Sequence, residues 1–200
     1  MLKGLVSACG VIAVIALGIW PFVQPVQQPE SNPLLDNLEA SNPVPCVLDE
    51  AGYLRGRIYG SLDIALDLKG DALLCNGLYY PDDRRARLVF TGAASGPFAN
   101  LTLVVALSDF DSGESGNELD TNLTLVDAGQ SRFFSTQGSG RCWSDIEQYP
   151  AGKDSDQDII RVSGELYCAG AIPQISGQGS ITINELSFSG RLAVNQATSE

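Results

Sequence analysis

Leu101-Thr102-Leu103-Val104-Val105-Ala106-Leu107 carries its larger apolar residues at every second position. Period two is the spacing of a strand with one face buried, not of a helix. Ser180-Ile-Thr-Ile-Asn184 repeats the pattern near the other end of the chain. Working outward from these two, stretches of similar character lie at 53–59, 62–68, 72–80, 86–91, 123–126, 131–135 and 159–168, and the stretch that opens at Ser180 runs on to Val194. β-Branched and aromatic residues fill them, and Gly, Asp, Ser and Asn punctuate them. No segment after residue 45 holds a helical period over three turns. Nine short strands predict an all-β fold, an antiparallel β-sandwich or a partly open barrel.

Within the last stretch the alternation changes phase. Ile181 and Ile183 give way to Leu186 and Phe188. A bulge near Asn184-Glu185 would keep all four on one face.

Four cysteines, Cys46, Cys75, Cys142 and Cys168, fall in this domain. An even count without any Cys-x-x-Cys reads as two disulfides in an oxidising compartment rather than a redox motif or zinc ribbon. A faint internal repeat favours one pairing of the three. Cys46 precedes Cys75 by 29 positions, and Leu88-Val-Phe90-Thr-Gly92 follows. Cys142 precedes Cys168 by 26, and Leu186-Ser-Phe188-Ser-Gly190 follows. The expected bridges are Cys46–Cys75 and Cys142–Cys168, with Cys75–Cys168 as the main alternative.

Ahead of the domain, residues 5–23 contain no charge and follow a single Lys3. Nineteen such residues approach the length of a bilayer span, and the positive-inside rule keeps Lys3 in the cytoplasm. The expected organisation is a membrane anchor at 1–23, a Pro- and Gln-rich tether at 24–45, and a periplasmic or extracellular β domain at 46–200. Three rivals compete for the leader. Ala16-Leu17-Gly18 offers a signal-peptidase site. Val6-Ser7-Ala8-Cys9 resembles a lipobox, but its apolar region follows the Cys rather than preceding it. Lys3-Gly4-Leu5 resembles a prepilin cleavage site and implies a pilin-like subunit, yet Cys9 stands where pilins carry Glu, and Pro21 and Pro25 interrupt the helix.

Composition narrows the function. The chain has 24 acidic and 12 basic residues and a formal charge of −12, which argues against nucleic acid as a partner. Histidine is absent, which removes the commonest general base and metal ligand. No Gly-x-Ser-x-Gly elbow occurs. No catalytic residue is assigned, and no resident cofactor is expected.

Two acidic segments carry what chemistry remains. Asp109, Asp111, Glu114, Glu118 and Asp120 pack five carboxylates into a Gly- and Ser-rich stretch read as an exposed loop at 109–120. Such a loop is a candidate Ca²⁺ ligand set, or a source of two carboxylates for glycoside hydrolysis; otherwise it is a solvated hairpin. Asp154, Asp156, Asp158 and Glu165 match acidic positions of an EF-hand loop, but Ile159 occupies the position that needs Gly. Arg84, Arg85 and Arg87 follow Asp82-Asp83, and the acids are their expected partners. Trp143 with Tyr79, Tyr80 and Tyr149 is a candidate sugar- or peptide-binding face; the rival is packing on the disulfide. Asn100-Leu-Thr102 and Asn122-Leu-Thr124 are glycosylation sequons, relevant only in a eukaryotic secretory pathway. The expected role is a non-enzymatic envelope module. Its partners are the membrane through residues 5–23 and an envelope protein or glycan.

Overall fold

A computed structural model of the chain describes residues 44–47, 52–96, 98–154 and 157–194. The segments read as anchor and as most of the tether lie outside the described residues. Among the described residues no helix is long and apolar enough to cross a membrane.

The described chain is an all-β antiparallel domain. Its strands are β1 (Val44–Cys46), β2 (Tyr53–Gly60), β3 (Ile64–Tyr80), β4 (Arg85–Gly92), β5 (Leu101–Leu107), β6 (Gly116–Asp127), β7 (Arg132–Ser135), β8 (Cys142–Asp154), β9 (Gln157–Cys168), β10 (Ile172–Pro173) and β11 (Ser180–Val194). β1 begins inside the stretch read as tether. The strands pair in the order β3-β2-β11-β9-β8-β6-β5-β4, and β4 pairs β3 again, so the path returns to its start. β1, β7 and β10 attach beside this ring.

β3 makes the closure possible. Residues 64–69 pair β2, and residues 73–80 pair β4. Between them Gly70 adopts φ +54°, a left-handed value at which a Cβ is costly. The stretches expected at 62–68 and 72–80 are therefore one strand, bent at a glycine. β11 shows the expected register shift between Ile183 and Leu186, and Ile181, Ile183, Leu186 and Phe188 are all buried.

Alternation carries the core. Leu101, Leu103, Val105 and Leu107 point inward with Leu88, Phe90, Leu123, Leu125, Ile58 and Val162. Phe90 and Phe188, equivalent in the two repeat halves, meet there with ring centroids 5.9 Å apart. The registers of the halves differ: Phe90 lies opposite Cys75, but Phe188 lies opposite Gly164. Both disulfides nonetheless take the favoured pairing. Cys46 bonds Cys75, and Cys142 bonds Cys168 from directly across the β8–β9 ladder. No buried side-chain polar atom among the described residues lacks a hydrogen-bond partner.

Candidate functional site

The acidic stretch at 109–120 is only partly a loop, because residues 116–120 belong to β6. Nor does it gather its acids at one point. Asp111 accepts two hydrogen bonds from the Arg84 guanidinium, at 2.6 and 2.9 Å, and Asp109 stands 3.4 Å from the same group. The Arg84 contact holds the Asp111 carboxyl below its usual range, hydrogen bonding being the larger cause. Asp120 accepts from the Gly140 amide at 2.7 Å. Glu118 sits where the β6–β8 register shifts, and its amide donates to Asp145 at 2.7 Å. Glu114 is exposed, and its backbone carbonyl accepts from Gln148. Among the described residues no group of three or more His, Cys, Asp or Glu stands close enough to hold a metal ion. Phe110, between Asp109 and Asp111, is fully buried against Tyr79, with centroids 5.0 Å apart. The arrangement latches residues 109–111 onto the turn after β3.

The basic cluster divides. Arg84 and Arg85 take acids, the latter Asp83. Arg87 lies on β4 with no carboxylate partner among the described residues, and desolvation lowers its pKa. In the second acidic segment Lys153 pairs with Asp158 at 3.4 Å, and Arg191 pairs with Asp154 at 2.5 Å.

The aromatic expectation leads further. Tyr79 is core, and Tyr80 lies on β3 opposite Arg85, away from Trp143. Trp143 and Tyr149, however, both project outward from β8. Trp143 lies directly across the ladder from Tyr167 on β9, and the rings stack with centroids 6.1 Å apart and planes 28° apart. Burial first, then the charges of Asp145 and Glu118, raise the Tyr167 phenol pKa. It stays a neutral hydroxyl donor across the physiological range. Arg161 lies over the Tyr149 ring, 4.7 Å from its centroid.

Two residue pairs along from the Trp143–Tyr167 stack, the outward side of β8, β9, β11 and β2 is hollow. Reading across the ladders, Asp145 faces Glu165, Glu165 faces Ser187, and Ser187 faces Arg55. The next row runs Glu147, Ser163, Ser189, Tyr53. In this second row the middle strands carry serines, while β8 and β2 carry the longer Glu147 and Tyr53. The result is a cleft of about 430 Å³ floored by Ser163, Gly164 and Ser187. Asp145, Glu147 and Tyr53 wall it, with Ser115 and Asn117 entering from the shifted start of β6. The Tyr149 hydroxyl donates to Glu147 at 2.5 Å and orients that carboxylate.

The cleft offers the Tyr53 ring, serine hydroxyls and carboxylate acceptors, and the stacked Trp143 and Tyr167 rings stand beside it on the same sheet rather than among its lining residues. Sugars bind this set: ring C–H faces stack on aromatics, and hydroxyls donate to carboxylates. Sequence reasoning missed Asp145, Tyr53 and Tyr167, and it met Glu165 only as an acidic position of the failed EF-hand match. The missing signal was β8 itself, since Cys-Trp-Ser-Asp-Ile-Glu-Gln-Tyr-Pro has the period of a strand but polar alternates. Comparison with protein-family models, with curated proteins and with solved structures finds no match for the chain.

Proposed function

We propose that the chain is a membrane-anchored extracytoplasmic binding module, and that a glycan of the envelope is held in the β8–β9–β11–β2 cleft. Residues 5–23 serve as the anchor, residues 24–43 as the tether, and the ring of strand pairings as a flattened barrel in the periplasm or outside the cell. The single observation carrying this reading is the Trp143–Tyr167 stack beside a serine-floored, carboxylate-walled cleft. Uncharged run, even cysteine count and acidic composition support the location.

The test is titration of the purified full chain with a panel of neutral and amino-sugar oligosaccharides, followed by tryptophan fluorescence and calorimetry. At least one class should bind and shift the Trp143 emission. Trp143→Ala and Tyr167→Ala should each weaken it about two- to tenfold, as expected for losing a stacking contact of about 0.5–1.5 kcal/mol. A panel without any binder, or binding untouched by both substitutions, would reject the proposal.

A second reading rests on Asp145 and Glu165. Directly opposed strand residues have Cβ atoms about 5 Å apart, which sets the two carboxylates a glycosidase needs side by side on one face. Release of new reducing ends, lost in both Asp145→Asn and Glu165→Gln, would replace binding with hydrolysis.

A further inference from the structure

The outward side of β3, β4, β5, β6 and β7 differs in chemistry from the cleft side. Reading across the ladders, one row is Leu74, Thr91, Thr102, Val126 and Phe133. The next is Asn76, Val89, Val104, Thr124 and Ser135, and the third is Leu78, Arg87, Ala106 and Asn122. Arg87 is the sole charge among these fourteen positions, in a chain with 36 Asp, Glu, Lys and Arg. The hydroxyls are directed sideways. Thr91 bonds Thr102 and Thr124 bonds Ser135, each at 3.2 Å, so the threonine methyl groups are free to face outward. Phe133, at 42% exposure, and its neighbour Ile175, at 54%, extend the apolar row past the last strand. Half of the fourteen positions are apolar, and none of them is a carboxylate.

Its pattern is also self-matching. Reflection through β5 exchanges β4 with β6 and β3 with β7. Under that exchange Leu74 meets Phe133, Asn76 meets Ser135, Val89 meets Thr124, Thr91 meets Val126, and Arg87 meets Asn122. Leu74 on Phe133 is apolar on apolar, Asn76 on Ser135 and Arg87 on Asn122 are polar on polar, the other two exchanges set a valine against a threonine of similar shape, and Val104 meets its own copy. A two-fold axis along β5 performs this operation when two sheets pack face to face.

We propose that a second copy of this chain docks on the β3–β7 face, forming an isologous two-sheet dimer centred on Val104. These fourteen positions carry no carboxylate, so two acidic chains can meet here without setting acid against acid. Five strands about 4.8 Å apart and five residues long give a projected face of roughly 400 Å² per copy. That lies at the small end for protein interfaces, so the dimer is weak and concentration dependent. It leaves both clefts pointing away from the shared face.

The experiment uses the full chain with Cys9→Ala and one added cysteine. Facing sheets stand about 10 Å apart, too far for a disulfide, so a short bismaleimide is the probe. Val104→Cys should yield a covalent dimer whose fraction rises with concentration, while Ser187→Cys in the cleft yields none. Adding Val89→Lys to the Val104→Cys chain should abolish the dimer without lowering the melting temperature, since Val89 points outward. Absence of a Val104 dimer at every concentration overturns the proposal. So does equal dimer from both cysteines, or a Val104 cross-link to a different protein in intact cells.

Discussion

Arg84 and Asp111 are the residue pair that fixes the loop after β5. Asp111 has a depressed pKa, so its contribution to stability is complete above the unfolded carboxylate value and disappears as pH falls through the lower folded value. Thermal melts from pH 6 to 2 should therefore show a steeper acid loss for the native chain than for Asp111→Asn. Superimposable pH profiles would show that the contact adds nothing. Cysteine pairing was legible at this scale, because the spacing of Cys46, Cys75, Cys142 and Cys168 within the repeat pointed to the observed bridges. The fate of single acids was not legible. Whether Asp109 and Asp111 point to an ion or to Arg84 depends on the turn 25–27 residues earlier, which no local pattern reports. Gly77 was equally silent: a Cβ there would lie 2.6 Å from the Arg191 carbonyl oxygen of β11, a contact made by distant parts of the chain.

Among elements, β5 and β11 were readable because each has one fully buried face, and the β11 bulge was readable because its apolar residues change phase. β8 was not, since its outward residues include Trp143 and Tyr149 and its inward ones include Ser144. Ser144 is tolerated inside because Thr121 donates to it at 2.9 Å. Polar residues in the interior blur the period that a strand needs to be recognised. β8 and β9 form a long hairpin, and the Cys142–Cys168 bridge ties it at the end beside the Trp143–Tyr167 stack. A bridge closing 26 positions contributes about 3 kcal/mol on the chain-entropy model. Cys142→Ala with Cys168→Ala should lose about that much in urea unfolding and loosen the stack, read as a shifted tryptophan emission. An unchanged midpoint and emission would show that the ladder alone holds the hairpin. Toward its tip the hairpin carries Pro150 and a register shift between Pro150 and Gly152, features that discourage another strand from pairing along β8.

For the whole molecule, the all-β class followed from period two alone, whereas the partition of the surface did not. Alternation separates inside from outside along one strand, but the registers that align Asp145 with Glu165, or Val89 with Val104, arise only on assembly. Both the cleft and the neutral face are properties of rows running across strands, and a sequence is read along them.

The return of the pairing path to its start has a consequence in time. β2, almost the first strand of the domain, is held by β11, the last. Loop closure over so long a separation is slow, and folds dominated by such contacts form late. A chain ending at Gly179 lacks the strand that pairs β2, β9 and β3, and it should give the flat amide dispersion of an unfolded protein in NMR. During synthesis the domain therefore has no finished intermediate. Most of its length must emerge as an open chain, exposed to proteases and chaperones, before the final fifteen-residue strand arrives and the ring snaps shut.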